Sequence, residues 1–348
     1  MSASRVFCGV LALGAASAIA ACGGTQPQPA TMMGHTEDYR RNADTGYLYV
    51  ANESGYGPSG TGSILIFSES ANGNVAPVDV ISGSATELSQ VNGIAVDSSG
   101  EIYVVDTDKE AILGFAAGSS GNVSPNVTIS GADTGLAWPI GLAVDDAGNL
   151  YVANCGSGCK SGLAAPGLLE FAAGSSGDAA PVRNISGSNT QLTRSNGVAW
   201  RGDVYVSQSS SIVVFDQNAN GNATPKHVIS GSKTLLGDAW GVTADQHHVY
   251  AGSCAGNYIE RFSAVANGNA APQAVISGTK TKLRSCIDGV SVAERGRIFA
   301  ATINSYPSIV GFYRFKNGDV QANTYIAGSN TGLTYPTFVF ATPQYAPK

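Results

Sequence analysis

Residues 121–154 read GNVSPNVTISGADTGLAWPIGLAVDDAGNLYVAN, and this stretch returns six times, with drift, from Gly46 onward. Three landmarks mark each copy. An aromatic-led strand appears as Tyr49-Val50, Tyr103-Val104, Tyr151-Val152, Tyr205-Val206, Tyr250-Ala251 and Phe299-Ala300. A second strand ends in Phe67, Phe115, Phe171, Phe215, Phe262 and Phe315. A third element opens on a Gly-Asn or Gly-Asp turn and closes near Ile81, Ile129, Ile185, Ile229, Ile276 and Ile326. Successive isoleucines lie 48, 56, 44, 47 and 50 residues apart. A period of that length, holding several short strands, is the pattern of a propeller blade.

The second copy shows how one period divides. Gly93–Asp97 reads as strand one, Glu101–Val105 as strand two, Ala111–Phe115 as strand three and Asn126–Ile129 as strand four. Gly100 and Gly121 supply the turns between them. Pro125 precedes strand four, as Pro77, Pro181, Pro225 and Pro272 do in other copies. Proline lacks an N–H and suits an edge strand, which strand four of a blade is. The pattern begins at strand two and ends at strand one, with Thr337–Ala341 aligned to Gly93–Asp97. The expected fold is therefore all-β: a six-bladed β-propeller of four-stranded antiparallel blades, spanning 46–342. The C-terminal strand completes the first blade and closes the ring, and residues 343–348 form a tail.

Bulk properties agree. The 348 residues are 43% hydrophobic and 13% charged, with 44 glycines. Such a chain can make many tight turns. The net charge of −6 and the absence of a basic run argue against a nucleic-acid partner, because phosphate neutralisation needs clustered Lys and Arg.

Residues 1–21 resemble an export signal, with Arg5 ahead of an apolar run that is too short for a comfortable transmembrane helix. Ile19-Ala20-Ala21-Cys22 resembles the bacterial lipobox, which implies lipidation of Cys22 and anchoring in a membrane. Residues 22–45 then read as a lipidated Cys and flexible tether. The expected location is the outer membrane or cell surface of a bacterium, and the expected state a monomer. Besides Cys22, the mature chain keeps Cys155, Cys159, Cys254 and Cys286. Export favours disulfides. Cys155 and Cys159 share one glycine-rich loop. Cys254 and Cys286 lie on the same face at neighbouring blades, where a bond would staple two blades.

The phrase PIGLAVDDAGNLYVAN (139–154) resembles the NHL repeat, and Leu168-Leu169-Glu170-Phe171 resembles the strand that follows it there. The resemblance covers residues 46–342. Trp200-Arg201 departs from it by replacing Val-Asp, and Ser291-Val292-Ala293 loses the Asp. The likeness is specific for fold and not for function, since such propellers serve as binding platforms, lactonases and lyases. More distantly the chain resembles lactonase-like propellers of the SMP-30 type. That resemblance implies a divalent cation such as Ca²⁺ at the channel mouth, held by a Glu, Asn and Asp set that Asn196, Asp288 and Asn154 would imitate in part.

Function is expected on the face made by the strand 2–3 and 4–1 connections. Before strand one stand Asn92, Ile140, Asn196, Trp240, Asp288 and Pro336, and after strand two stand Asn52, Asp106, Asn154, Gln208, Ser253 and Thr302. Of these, Asn52, Asn92, Asp106, Asn154, Asn196, Gln208, Trp240 and Asp288 are the candidate binding residues. The bland alternative is that Asn and Asp there cap turns. His227, His247 and His248 lie away from this face, so no His is placed as general base there. No nucleophile elbow or phosphate loop is present. No catalytic or metal-ligand set is assigned and no cofactor is expected. The reading is a non-enzymatic platform for a protein, peptide or glycan; the alternative is a lactonase- or lyase-like enzyme at the same mouth.

Overall fold

The computed structural model describes residues 46–54, 61–293, 296–303 and 305–342. The expected signal and tether (1–45), including Cys22, and the tail 343–348 lie outside the described residues.

Six four-stranded antiparallel sheets surround a central channel. Blade two runs Val91–Val96, Ile102–Asp106, Ala111–Phe115 and Val127–Ile129 from the inner to the outer strand. Blade one is Tyr335–Ala341, Tyr47–Glu53, Gly62–Ser68 and Asp79–Ser82, so the last strand of the chain is the inner strand of the first blade. Alternating side chains of each sheet pack against the blades on either side. The phenylalanine ending strand three is fully buried in each blade, and these side chains form the anchors of the inter-blade cores.

Two sequence expectations are corrected here. In the sixth copy the buried phenylalanine is Phe312, paired with Ile298, whereas Phe315 lies beyond the strand and is 66% exposed. The last strand also aligns one residue later than expected. Val339 pairs with Val50 as Ile94 pairs with Val104, so Phe338, not Thr337, stands where the other blades have glycine. The residue before it is therefore Thr337, not Pro336. Blade two has the same bulge at the start of this strand, so the difference lies in the letters: Phe338 replaces the glycine that marks the register in the other copies.

The inner glycines have one shared cause. A Cβ on Gly93 would lie 2.4 Å from the amide nitrogen of Leu142, and one on Gly289 2.6 Å from the Cα of Phe338. At the five inner glycines neighbouring inner strands pass too closely for a side chain, and only blade one makes room for one, Phe338.

The Gly-Asn and Gly-Asp pairs do more than turn. Gly121 bridges to Ile81 of the preceding blade, with its N–H donating to Val80 O and its carbonyl accepting from Ser82 N. Asn122 Oδ1 accepts the Ala85 N–H of that same blade at 2.7 Å. Gly83, at φ 122°, faces the Asn122 side chain so tightly that a Cβ would meet Oδ1 at 2.5 Å. Thr86 then folds back, donating its hydroxyl to Gly83 O and accepting from Leu88 N. The same bridge joins every pair of neighbouring blades, including Gly73 to Ile326 where the chain ends meet. The ring is thus closed at its inner edge by a strand and at its outer edge by a staple.

Candidate functional site

The two ends of the channel differ. At one end lie the strand 4–1 and 2–3 connections (the 4–1 face). At the other lie the strand 1–2 and 3–4 hairpins (the 1–2 face).

On the 4–1 face the residues after strand two are buried and occupied. Asn52 Oδ1 accepts the N–H groups of Thr334 and Tyr335, and its Nδ2 donates to Gly332 O, Ser63 Oγ and Thr334 Oγ1. Asp106 accepts from the N–H and hydroxyl of Ser89 and from Lys109 N. Asn154 bonds Ala137 N at 2.7 Å and Gly135 O at 3.1 Å. Gln208 accepts from Thr193 and Arg194 and donates to Gln191 O and Ser211. Each thus ties the incoming 4–1 loop of its own blade to strand two.

The residues before the inner glycines form the channel neck. Asn92 donates to Thr107 Oγ1 at 2.7 Å, and Thr107 donates to Pro139 O of the next blade. Asn196 Nδ2 donates to Ala239 O at 2.9 Å, while its Oδ1 has no hydrogen-bond partner among the described residues. Asp288 occupies the same position in blade six and is 5% exposed. Burial, with the nearby Asp238 adding to it and Arg194 opposing it, pushes its carboxyl up to about 7. Beside it lies Glu53, 2% exposed, whose Oε2 has no partner among the described residues. Burial, then the charges of Asp288 and Asp106, push the Glu53 carboxyl up to about 8. Glu53 carries no signal in the repeat, since the equivalent positions hold Thr107, Cys155, Ser209, Cys254 and Ile303.

This donor set does not fit a divalent cation. Asn154 is consumed by its loop and stands outside the neck, which leaves Asp288 and the amide oxygen of Asn196 from the expected set. Among the described residues no three His, Cys, Asp or Glu side chains are grouped to hold a metal.

Around the neck the 4–1 face carries three aromatic rings, each under a cation. Lys160 Nζ sits 4.7 Å from the Trp138 ring centre, Arg194 4.8 Å from that of Trp240, and Arg284 5.9 Å from that of Tyr306. Arg194 also contacts Asp238, which accepts from the Trp240 indole N–H at 3.1 Å. The Cys155–Cys159 disulfide pins the insertion that carries Lys160. The Cys254–Cys286 disulfide joins blades five and six on the same face. Both pairings are as expected from the sequence.

The 1–2 face holds a cavity of about 700 Å³ that runs up the channel. Its wall includes Val144, Trp200, Thr243, Val292 and Phe340; its rim includes Asp97, Asp146, Arg201, Asp245 and Arg314. The aspartates of the repeat are largely turn caps here: Asp97 Oδ1 accepts from Ser99 N and Glu101 N, and Asp145 Oδ1 from Ala147 N and Asn149 N. His248 contacts Asp245 in this region, away from the 4–1 face, as expected. The mark this cavity leaves in the repeat is the break at Trp200-Arg201, which replaces Val-Asp.

Among the described residues no helix is long and apolar enough to cross a membrane. No protein-family model matches the chain, and no curated protein matches it. Solved structures do. A protein of unknown function from Bacteroides caccae is 10% identical, with a TM-score of 0.59 over 85% of this chain and 98% of that one. The WD40 β-propeller domain of Doa1 is 13% identical, with a TM-score of 0.50 over 81% of this chain and 80% of that one. At such identities the likeness concerns fold alone. The chain is an all-β, six-bladed β-propeller, a fold consistent with a binding platform.

Proposed function

We propose that the chain is an exported, lipid-anchored platform that binds a protein or peptide on its 4–1 face. One observation carries the reading: three stacked aromatic–cation pairs, Trp138/Lys160, Trp240/Arg194 and Tyr306/Arg284, gather on that face around the channel neck. Trp, Tyr and Arg on a rigid support are the residues that dominate protein interfaces, because they bury much area for little lost freedom. The two disulfides on the same face stiffen it and suit an oxidising compartment. The NHL-like repeat and the lipobox-like Ile19–Cys22 run support a tethered scaffold.

Photo-crosslinking in cells producing the full-length chain tests this. The reactive residue is placed at Lys160 or Arg284, and for control at Val265, which is 74% exposed on the opposite face. One protein partner captured from 160 and 284, absent from 265 and lost with Trp138→Ala, is the expected result. Capture of the same species from all three positions refutes it. The lactonase-like alternative is checked by Ca²⁺ titration followed by lactone hydrolysis. A stoichiometric site abolished by Asp288→Ala would replace the platform reading.

A further inference from the structure

The repeat provides a control for its own departures. Where blades two and three end the inner strand in Val-Asp, the Asp caps the hairpin that follows. Blade four has Trp200-Arg201 instead. Its hairpin turns tightly through Gly202, and Arg201 pairs across to Asp203, so no cap is needed. Trp200 packs one side against the core between blades three and four, as the valine it replaces does elsewhere, but neither its extra size nor the charge of Arg201 is needed for that packing. A second departure is Phe340, which stands where blades two, three and four have Ala95, Ala143 and Ala199. Trp200, Arg201 and Phe340 all line the same cavity on the 1–2 face.

The chemistry of that cavity is mixed in a particular way. Trp200 and Phe340 are half-buried and give flat apolar walls. Arg201 is exposed and has no ion-pair partner among the described residues; Arg314 contacts Asp245 through Nη1 at 3.5 Å, while its buried Nε has no acceptor among the described residues. The rim also carries Asp97, Asp145, Asp146 and Asp245. Further donors come from the inner strand edges. Val292 N–H is capped by Thr243 Oγ1 and Ala341 N–H by Ser291 Oγ of the preceding blade. At the corresponding positions Ala95, Ala143 and Ala199 have no hydroxyl to do this.

We propose that this cavity is a saccharide-binding site, with Trp200 as the stacking platform and Arg201 as a hydroxyl-directed donor. An organic anion would meet four rim carboxylates against two guanidiniums, and an organic cation would meet both guanidiniums. A neutral polyol uses donors and acceptors together. Its C–H face packs on an indole, and its hydroxyls bond charged groups without adding charge to the site. The site is independent of the protein-binding face, from which it is separated by the glycine-lined neck.

The test uses the full-length protein, titrated with neutral gluco-, galacto-, manno- and N-acetylglucosamine oligosaccharides by calorimetry. Trp200→Val restores the residue that blades two and three carry, so folding is expected to survive; the urea midpoint checks this. At least one oligosaccharide is expected to bind. Trp200→Val is expected to weaken it by about 10- to 100-fold, Arg201→Asp to weaken it measurably, and Trp240→Ala on the opposite face to leave it unchanged. No binding of any of these saccharides at about 10 mM overturns the proposal. So does binding that is unaltered in Trp200→Val, or a preference for benzoate or benzylamine over the neutral sugars.

Discussion

Replacing Asp288 by Asn should stabilise this protein above neutral pH and barely affect it in acid. At the equivalent position in blade four, Asn196 donates an amide hydrogen to Ala239 O, and Asn92 in blade two donates to Thr107. Asp288 is as buried as these, and its carboxyl is pushed from an ordinary 3.8 to about 7, first by burial and then by Asp238. The folded chain thus holds a proton that the unfolded chain releases near 3.8. Stability falls as pH rises through this window, because the unfolded state binds fewer protons. At about 1.4 kcal/mol per pH unit, ionising Asp288 in place costs about 4 kcal/mol by pH 8. Asn carries no such charge and supplies the donor its counterparts use. Urea unfolding of wild type and Asp288→Asn at pH 4 and pH 8 measures the effect. The variant should be within about 1 kcal/mol of wild type at pH 4 and more stable by about 3–4 kcal/mol at pH 8, a midpoint rise of at least about 1 M. Some pH dependence remains, since Glu53 is displaced in the same direction. Equal stability at both pH values, or a less stable variant at pH 8, would refute the argument that this carboxyl is held in its neutral form.

Two further outcomes follow from the packing. Phe312→Ala, at a fully buried site, should cost about 3–5 kcal/mol, whereas Phe315→Ala should cost less than about 1 kcal/mol; chemical denaturation of the two variants distinguishes the buried landmark from the exposed one. Loss of the Cys254–Cys286 bond, which spans 32 residues, should lower stability by about 3–4 kcal/mol, as read from the unfolding midpoints of the Cys254→Ser/Cys286→Ser double variant. The Cys155–Cys159 bond closes a loop of only four residues and should matter less.

Much of the ring is legible in the letters because its constraints are local and repeated. A Gly-Asn pair must turn, a Tyr-Val run alternates as a strand, and Pro125 marks the start of an edge strand; recurrence in most copies makes each signal unambiguous. The disulfides were legible because blade topology brought neighbouring loops to one face. Errors came where the repeat weakens. Phe315 and Phe312 are three residues apart in a copy without the proline, and in the last strand Phe338 replaces the glycine that marks the register elsewhere. Neither shift alters composition or spacing enough to be seen.

The functional surface was less legible. Asn52, Asp106, Asn154 and Gln208 have the chemistry of a binding site in the sequence, yet each spends its hydrogen bonds on the loop beside it. Whether an Asn faces a ligand or a backbone amide depends on the path of the adjacent loop, which no single copy of the repeat specifies. Glu53 was invisible because nothing in its neighbourhood repeats.

The sequence by itself determined the strands, their number, their turns and the way the chain closes on itself, since these follow from short-range periodicity and backbone preference. Only the tertiary structure decided which polar side chains are satisfied and which are left facing a cavity. It also decided that Glu53 and Asp288, 235 residues apart in sequence, share one desolvated neck. Burial and hydrogen-bond supply are properties of the assembled ring: they arise when six inner strands converge on one axis, and no segment carries them alone.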